Sequence, residues 1–240
     1  MEIKKSFLLS FPRSGNTFTR YCVEYLTQHP TTSAPTYEYN ENKIPEHKDE
    51  KSVLWNIGME DRLKSEKNIL VKKHKMYKSE KNKYPMIFVI RNYKEVLIRH
   101  YIKTDNAKKN IQITDRCNYA QCLIDYDQWR KDKILIYYED LITDTQNTIK
   151  DIIKFLNQYN EDELQYFMND IDMHRKNSLK LYDVITNSVN NESRSLTKGK
   201  KKLYHSNVLS EEEKKEWDKL MKESCGQEVY NKYLIRYKEI

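Results

Sequence analysis

A short polar turn near the amino terminus, Pro12-Arg13-Ser14-Gly15, carries groups that bind anions. An apolar run precedes the turn and apolar residues at helical spacing follow it, which predicts a strand, a tight loop and a helix. A loop that enters a helix points several backbone N–H groups at one spot, where the helix dipole also favours negative charge. Gly15 would let the backbone approach the anion. The Arg13 guanidinium and the hydroxyl groups of Ser14 and Thr17 would add donors. The stretch therefore predicts a phosphate or sulfate site, with a plain buried strand and polar turn as the alternative for these residues alone.

Two common phosphate loops do not fit this stretch. The nucleoside-triphosphatase loop needs a second glycine and a lysine that are both missing. A phosphatase cradle needs a cysteine nucleophile before the loop, and the sequence has none there. The heptamer P-R-S-G-N-T-F resembles the 5′-phosphosulfate loop of the sulfotransferases that use 3′-phosphoadenosine 5′-phosphosulfate (PAPS), usually written P-K/R-S-G-T-T-W. By that resemblance, the cofactor loop comprises Arg13, Ser14, Gly15, Asn16, Thr17 and Phe18.

The end of a second apolar stretch supplies the next candidates. Residues 68–74 read as a strand that ends in Lys72, Lys73 and His74. In open α/β sheets, ligands bind outside the carboxyl ends of the strands. This end should therefore lie beside the predicted anion loop, residues 12–18. K-K-H is similar to the K-[ST]-H of cytosolic sulfotransferases, which implies that Lys72 steadies the transferring sulfuryl group and that His74 is the base. A surface or core histidine without a catalytic role is the alternative.

A third strand is predicted at Met86 to Ile90, followed by R-N-Y-K-E-V-L-I-R-H-Y. This segment resembles the family's 3′-phosphate motif, R-N-P-K-D-V-x-x-S-x-Y, and the resemblance implies that Arg91 binds the 3′-phosphate. The chain departs from the motif at Tyr93 for Pro, Glu95 for Asp, and Arg99 for a phosphate-binding Ser. Because a guanidinium can bind phosphate bidentately, we predict that Arg99 shares the 3′-phosphate with Arg91. The alternatives are a solvated Arg91 and an Arg99 that points into solvent.

Two later segments complete the resemblance. The fourth predicted strand, residues 134–138, contains Y-Y-E-D-L, which is similar to the family's [FY]-Y-E-D-L/M and implies that Tyr138 lies by the adenine, opposite Phe18. The polar segment T-K-G-K-K is similar to the family's R-K-G-x-x-G-D-W, which folds over the cofactor. It implies cofactor contacts for Lys198 and Gly199, and a solvated charge run is the alternative there.

Length and composition limit the number of domains, the charge of the ligands and the cellular compartment. A length of 240 residues without a linker-like stretch predicts one domain over residues 1–240. The formal net charge of +7 attracts anionic ligands without specifying them, and no apolar run approaches the length of a membrane span. The four cysteines are too sparse for a disulfide framework or a zinc site, so we expect a reducing cytoplasm.

Alternation of strands and helices predicts an α/β fold with a parallel sheet covered on both faces. The resemblance implies the three-layer, P-loop kinase-like arrangement of sulfotransferases. It further implies transfer of a sulfuryl group from PAPS to a hydroxyl or amine of a small-molecule or carbohydrate acceptor, which leaves 3′-phosphoadenosine 5′-phosphate (PAP). We expect residues 28–53 to form a surface excursion that shapes the acceptor pocket.

The protein can supply all the positive charge that this reaction needs, so no metal is expected, and Arg13 would neutralise charge on the leaving group. Neither a nucleic-acid partner nor a membrane span is expected, and the oligomeric state stays open. Two other functions also stay open. One is a nucleotide- or polyanion-binding protein without transfer activity. The other is a nucleotide kinase, against which the missing loop lysine argues.

Overall fold

A five-stranded sheet, parallel throughout, forms the centre of the structure. The computed structural model describes residues 4–33, 52–101, 107–108, 111, 118–188 and 209–238. The strands are β1 (Ser6–Ser10), β2 (Thr31–Ser33), β3 (Leu70–Lys73), β4 (Met86–Ile90) and β5 (Lys133–Tyr137). Their order in the sheet is β2-β3-β1-β4-β5, which places the strand that leads into the anion loop at the centre. The predicted parallel sheet is therefore confirmed.

The helices are α1 (Asn16–Thr27), α2 (Val53–Asn56), α3 (Tyr93–Tyr101), α4 (Tyr119–Asp127), α5 (Tyr138–Thr143), α6 (Thr145–Phe155), α7 (Glu161–Asn169), α8 (Ile171–Ser188), α9 (Glu211–Cys225) and α10 (Gln227–Leu234). Short 3-10 turns lie at Glu60–Arg62, Lys78–Glu80 and Ile235–Tyr237. Helix α9 begins with the capping box that the sequence predicts, in which Ser210 and Glu213 bond each other's backbone N–H groups.

Both faces of the sheet are covered, because successive side chains of a strand point to opposite faces and those of β1 are apolar on both. Phe7 and Leu9 pack with helices α3, α4, α9 and α10. Leu8 packs in the second core cluster, with α1, α2, α6, α7 and α8. The result is the three-layer α/β/α arrangement that the resemblance implies.

Helix α3 is fixed from its inner side by a buried polar cluster. The Lys94 ammonium lies 3.0 Å from the Asp218 carboxylate on α9 and donates to the Tyr237 carbonyl at 3.2 Å. The hydroxyl groups of Tyr93 and Tyr230 also donate to Asp218. A buried charge that loses its partner is costly, so this cluster holds α3 in one orientation against the sheet.

The predicted surface excursion at residues 28–53 is wrong at both of the ends that the structure describes, because residues 31–33 form β2 and Ser52 and Val53 are buried at the start of α2. Thr31 and Thr32 are buried in the edge strand β2, where Glu24 of α1 accepts from the backbone N–H of Thr31 at 3.0 Å. The same carboxylate accepts from the backbone N–H of Leu54 at 2.7 Å and so holds the start of α2. Residues 34–51 lie outside the described residues. Among the described helices, none combines the length and the apolar character needed to cross a bilayer.

Candidate active site

The loop between β1 and α1, the predicted anion loop, has a strained backbone. Arg13 has φ 73° and Gly15 has φ 90°, both in the left-handed region, and Gly15 is the N-cap of α1. A Cβ atom added at Gly15 would lie 2.7 Å from Cε2 of Tyr138, closer than packed atoms approach. Position 15 therefore requires glycine for two reasons, which are the backbone conformation and the close approach of the Tyr138 ring.

Ser14 places a hydroxyl group in the loop, and no residue that the structure describes forms a hydrogen bond with it. Its side chain is fully buried, and its Oγ has no hydrogen-bond partner within the described part of the chain. A buried polar atom without a partner is costly unless a ligand or water completes it. The hydroxyl therefore fits an anion held at the start of α1, where the first-turn N–H groups have no carbonyl partner within the helix.

The Asn16 side chain contacts the end of the strand that precedes the loop. Its amide donates to the Ser10 hydroxyl at 3.2 Å, so the side chain braces the loop against the end of β1. Thr17 is partly buried on the first turn, and Phe18 is 8% exposed within the core cluster around α1. These residues are part of the predicted loop, and their backbone forms the first turn of α1.

His74 follows β3 and meets the end of β1. Its Nδ1 lies 2.5 Å from the backbone carbonyl oxygen of Ser10. Because a carbonyl oxygen only accepts, Nδ1 carries the proton in the neutral ring and Nε2 carries the lone pair. Burial, and then the charge of Lys72, lowers the pKa of His74 to about 3. The ring is therefore neutral at physiological pH, as a proton acceptor must be.

Neighbouring lysines of β3 point to opposite faces of the sheet. Lys72 is partly buried and close enough to His74 to affect its pKa. Lys73 is buried and forms an ion pair with Glu80. Burial lowers the pKa of Lys73, and the bond to Glu80 opposes that shift. Of the two lysines, Lys72 is thus the one on the histidine's side of the site.

Arg91, at the carboxyl end of β4, lies beside the loop. Its guanidinium stands 4.2 Å from the centroid of the Tyr138 ring and its Nη1 donates to the Arg13 carbonyl at 3.4 Å. Glu95, one helical turn on, accepts from Arg91 Nε at 3.1 Å and Nη2 at 2.6 Å. Arg99, a further turn on, donates to the same carboxylate. Both predicted 3′-phosphate arginines are therefore together, with Glu95 between them.

The predicted lid residues Lys198 and Gly199 lie outside the described residues. The sequence predicts that Tyr138 is the last residue of a strand. In the structure it is instead the first residue of α5.

Three further residues shape this site and were not predicted as site residues from the sequence. Ser10 holds both His74 and Asn16, and its position at the end of the strand before the loop could have revealed it. Glu139 accepts from the Asn92 N–H at 3.1 Å and from the Tyr237 hydroxyl at 2.6 Å, and so secures the start of α3. Glu95 could have been found from its i, i+4 spacing to the two arginines.

Within the described ranges, no group of three or more His, Cys, Asp or Glu side chains is arranged to hold a metal ion.

Comparison with known proteins gives a family model and several solved structures. The model described as a sulfotransferase domain matches residues 4–229. Mouse sulfotransferase SULT7A1 complexed with PAP is similar with a TM-score of 0.61 and 17% identity, over 97% of this chain and 90% of that chain. Retinol dehydratase in a complex with retinol and PAP has a TM-score of 0.58 at 16% identity, over 93% and 82% of the two chains.

Retinol dehydratase with androsterone and the inactive cofactor PAP has a TM-score of 0.56 at 14% identity, over 100% of this chain and 84% of that chain. At these identities the structural likeness establishes a shared fold. A sequence search of curated proteins finds no match.

Proposed function

This chain belongs to the sulfotransferase domain family, and we propose that it transfers a sulfuryl group from PAPS to a hydroxyl or amine group of a small acceptor. The observation that carries this proposal is the joint position of His74 and the anion loop. Both contact Ser10, since Nδ1 of His74 bonds its carbonyl and the loop residue Asn16 bonds its hydroxyl. A proton acceptor thus stands at the strand end that leads into the anion site.

The loop fits the 5′-phosphosulfate of PAPS. The buried Ser14 hydroxyl lacks a partner in the described chain, Gly15 has no Cβ to clash with the Tyr138 ring beside the loop, and the first-turn N–H groups of α1 supply further donors. When bound, PAPS supplies the sulfuryl group, and its transfer leaves PAP. Arg91 and Arg99 would hold the 3′-phosphate, and Tyr138 would contact the adenine.

Three side chains of the site then have separate tasks in the reaction. Nε2 of His74 would receive the proton of the acceptor group, while Nδ1–H stays bonded to Ser10 and keeps the ring in place. The Lys72 ammonium would stabilise negative charge on the sulfuryl oxygens. The Arg13 guanidinium would stabilise the charge that develops on the leaving phosphate.

The low pKa of His74 also bears on how the site would work. A base whose pKa is about 3 accepts a proton weakly at neutral pH. Negative charge bound at the loop would favour the protonated ring and so raise the pKa towards the working pH. We therefore propose that cofactor binding strengthens the base, which restricts proton removal to the loaded enzyme.

For the acceptor, the proposal gives a chemical class and no individual compound. The two retinol dehydratase structures hold retinol and androsterone, both small organic molecules. We propose a small molecule that carries a nucleophilic oxygen or nitrogen, with carbohydrates as the second class to be tested.

A product assay tests this function. The protein is incubated with PAPS and pools of hydroxyl and amine acceptors, and PAP and sulfated products are measured by mass spectrometry. Coupled appearance of both products supports transfer. Binding of PAP without any product would indicate a nucleotide-binding protein, and turnover of ATP with no use of PAPS would indicate a kinase. Failure to bind PAP would contradict the cofactor assignment.

A further inference from the structure

The two arginines expected to hold the 3′-phosphate both contact one internal carboxylate. Oε1 of Glu95 lies 2.6 Å from Nη2 of Arg91 and 2.6 Å from Nη2 of Arg99. The Nε atoms of the arginines also donate to this carboxylate, at 3.1 Å and 2.9 Å. The three residues follow one another at intervals of four: Arg91 lies just before α3, and Glu95 and Arg99 lie one turn apart on the helix.

The carboxylate is well shielded from water. The Glu95 side chain is 6% exposed, and those of Arg91 and Arg99 are 12% and 21% exposed. Charges that are shielded in this way are screened little by salt. Carboxylate and phosphate also use the same donors of a guanidinium, because both offer a pair of oxygens that match its fork. Glu95 thus makes the contacts that a phosphate group would make.

We propose that Glu95 acts as an internal competitor for the 3′-phosphate of the cofactor. This inference rests on the proposed function, since it concerns how PAPS and PAP bind. To engage both arginines, the 3′-phosphate has to displace the Glu95 carboxylate or share the guanidinium groups with it at the cost of like-charge repulsion. Glu95 thereby weakens binding of the 3′-phosphorylated nucleotide and speeds the release of PAP.

The opposite role, in which Glu95 aims the arginines at the phosphate, is less well supported. Arg91 is positioned without Glu95, because its guanidinium stacks over Tyr138 at 4.2 Å and donates to the Arg13 carbonyl at 3.4 Å. Helix α3 itself is held from its other side by the buried contact of Lys94 with Asp218. Removal of the Glu95 charge therefore leaves Arg91 in place and removes the anion that a phosphate would have to replace.

Binding measurements with two ligands test this proposal. Calorimetry gives the affinity of the full chain for PAP and for adenosine 5′-phosphosulfate, which lacks the 3′-phosphate. Glu95→Gln should bind PAP at least about tenfold more tightly than the wild type, a change of about 1.4 kcal/mol. Its affinity for adenosine 5′-phosphosulfate should stay unchanged, because that ligand does not need the arginine pair.

Two further variants complete the test. Glu95→Asp keeps the charge but shortens its reach, so it should tighten PAP binding less than Glu95→Gln does, and it serves in place of Glu95→Gln if that variant fails to fold. Glu163→Gln is the matched control: it removes a carboxylate that pairs with Arg62 near Tyr25, towards the other end of α1, and should change neither affinity.

The outcomes separate this inference from the cofactor assignment. Tighter PAP binding by Glu95→Gln with unchanged adenosine 5′-phosphosulfate binding supports the competitor role. Weaker or unchanged PAP binding, or equal changes for both ligands, overturns it while the cofactor assignment stands. If neither the wild type nor any variant binds either nucleotide, the cofactor assignment fails and the inference falls with it.

Discussion

Nδ1 of His74 lies 2.5 Å from the backbone carbonyl of Ser10, the last residue of the central strand. This contact fixes the tautomer of the ring, because the carbonyl can only accept and the other nitrogen must then carry the lone pair. It also joins the candidate base to the same residue whose hydroxyl receives the Asn16 amide. The geometry of the base and that of the anion loop therefore depend on one strand end.

Substitution of His74 by Ala should abolish transfer while PAP binding stays near that of the wild type. General base catalysis typically contributes ~10²–10⁴ in rate, and the base acts on the acceptor and not on the nucleotide. Turnover with saturating PAPS and the affinity for PAP are measured on the same preparation. His29→Ala, which removes a histidine beyond the far end of α1, is the control and should keep full turnover. Near-normal turnover of His74→Ala would show that another group removes the proton.

Gly15→Ala should destabilise the protein more than Gly58→Ala does. Both glycines have a positive φ, of 90° and 73°, which costs a non-glycine residue roughly 1–2 kcal/mol. A Cβ at Gly58 would meet nothing within 4 Å, whereas one at Gly15 would overlap the Tyr138 ring. That overlap should lower the free energy of unfolding by a further amount of about 1–3 kcal/mol, which urea unfolding measures.

A second background tests the cause of this difference. With Tyr138→Ala already present, the ring is gone and Gly15→Ala should cost about as much as Gly58→Ala. If the extra loss persists without the ring, contact with Tyr138 is not its source.

The strands that carry the site were predictable because each is a continuous apolar run, as buried parallel strands are. Residues 86–90 match β4, and the strands predicted at 68–74 and 134–138 differ from β3 and β5 by one or two residues at each end. Strand β2 was missed because its sequence, T-T-S, is polar. It is buried only because tertiary partners satisfy it: Arg20 donates to the Thr31 hydroxyl at 2.6 Å, and Glu24 accepts from the Thr31 N–H.

The site residues were predictable in type but not in their contacts. The motif indicates a phosphate contact for Arg91, and the same contact is predicted for Arg99, which departs from the motif; in the structure both arginines contact Glu95. The motif does not indicate that Glu95, which replaces the usual Asp, reaches both of them. Likewise, the turn sequence predicts a loop that binds anions. The close approach of the Tyr138 ring to Gly15 depends on packing between distant segments of the chain and could not be predicted.

Arg99→Ala should weaken PAP binding and leave the binding of adenosine 5′-phosphosulfate nearly unchanged. A hydrogen bond to a charged group contributes about 1.5–3 kcal/mol, and only PAP has the 3′-phosphate. Because Arg99 also contacts Glu95 at 2.6 Å, the loss should be larger in the Glu95→Gln background, where the carboxylate no longer competes. Calorimetry on the four combinations of the two changes measures this coupling. Equal losses for both ligands would show that Arg99 does not bind the 3′-phosphate.

The stability of the fold should fall as the pH drops from about 6.5 to 4, in part because of His174. This ring is 1% exposed and stacks on Phe167 with centroids 4.1 Å apart, and its Nδ1 lies 2.8 Å from the Tyr21 hydroxyl oxygen. Burial lowers the pKa of His174 to about 4, against about 6.5 in the unfolded chain. Between these values the unfolded state binds the proton and the folded state does not, so stability is complete above pH 6.5 and is lost as the pH falls to 4.

The contribution of His174 to this loss should be about 3 kcal/mol. In urea unfolding at several pH values, His174→Phe should therefore reduce the difference in unfolding free energy between pH 7 and pH 4. Tyr21→Phe is the control, because it removes the hydroxyl contact but leaves the titrating ring, so it should lower stability without flattening the pH dependence. If His174→Phe keeps the full pH dependence, the loss at acid pH comes from other groups, of which His74, with its pKa lowered to about 3, is the next to test.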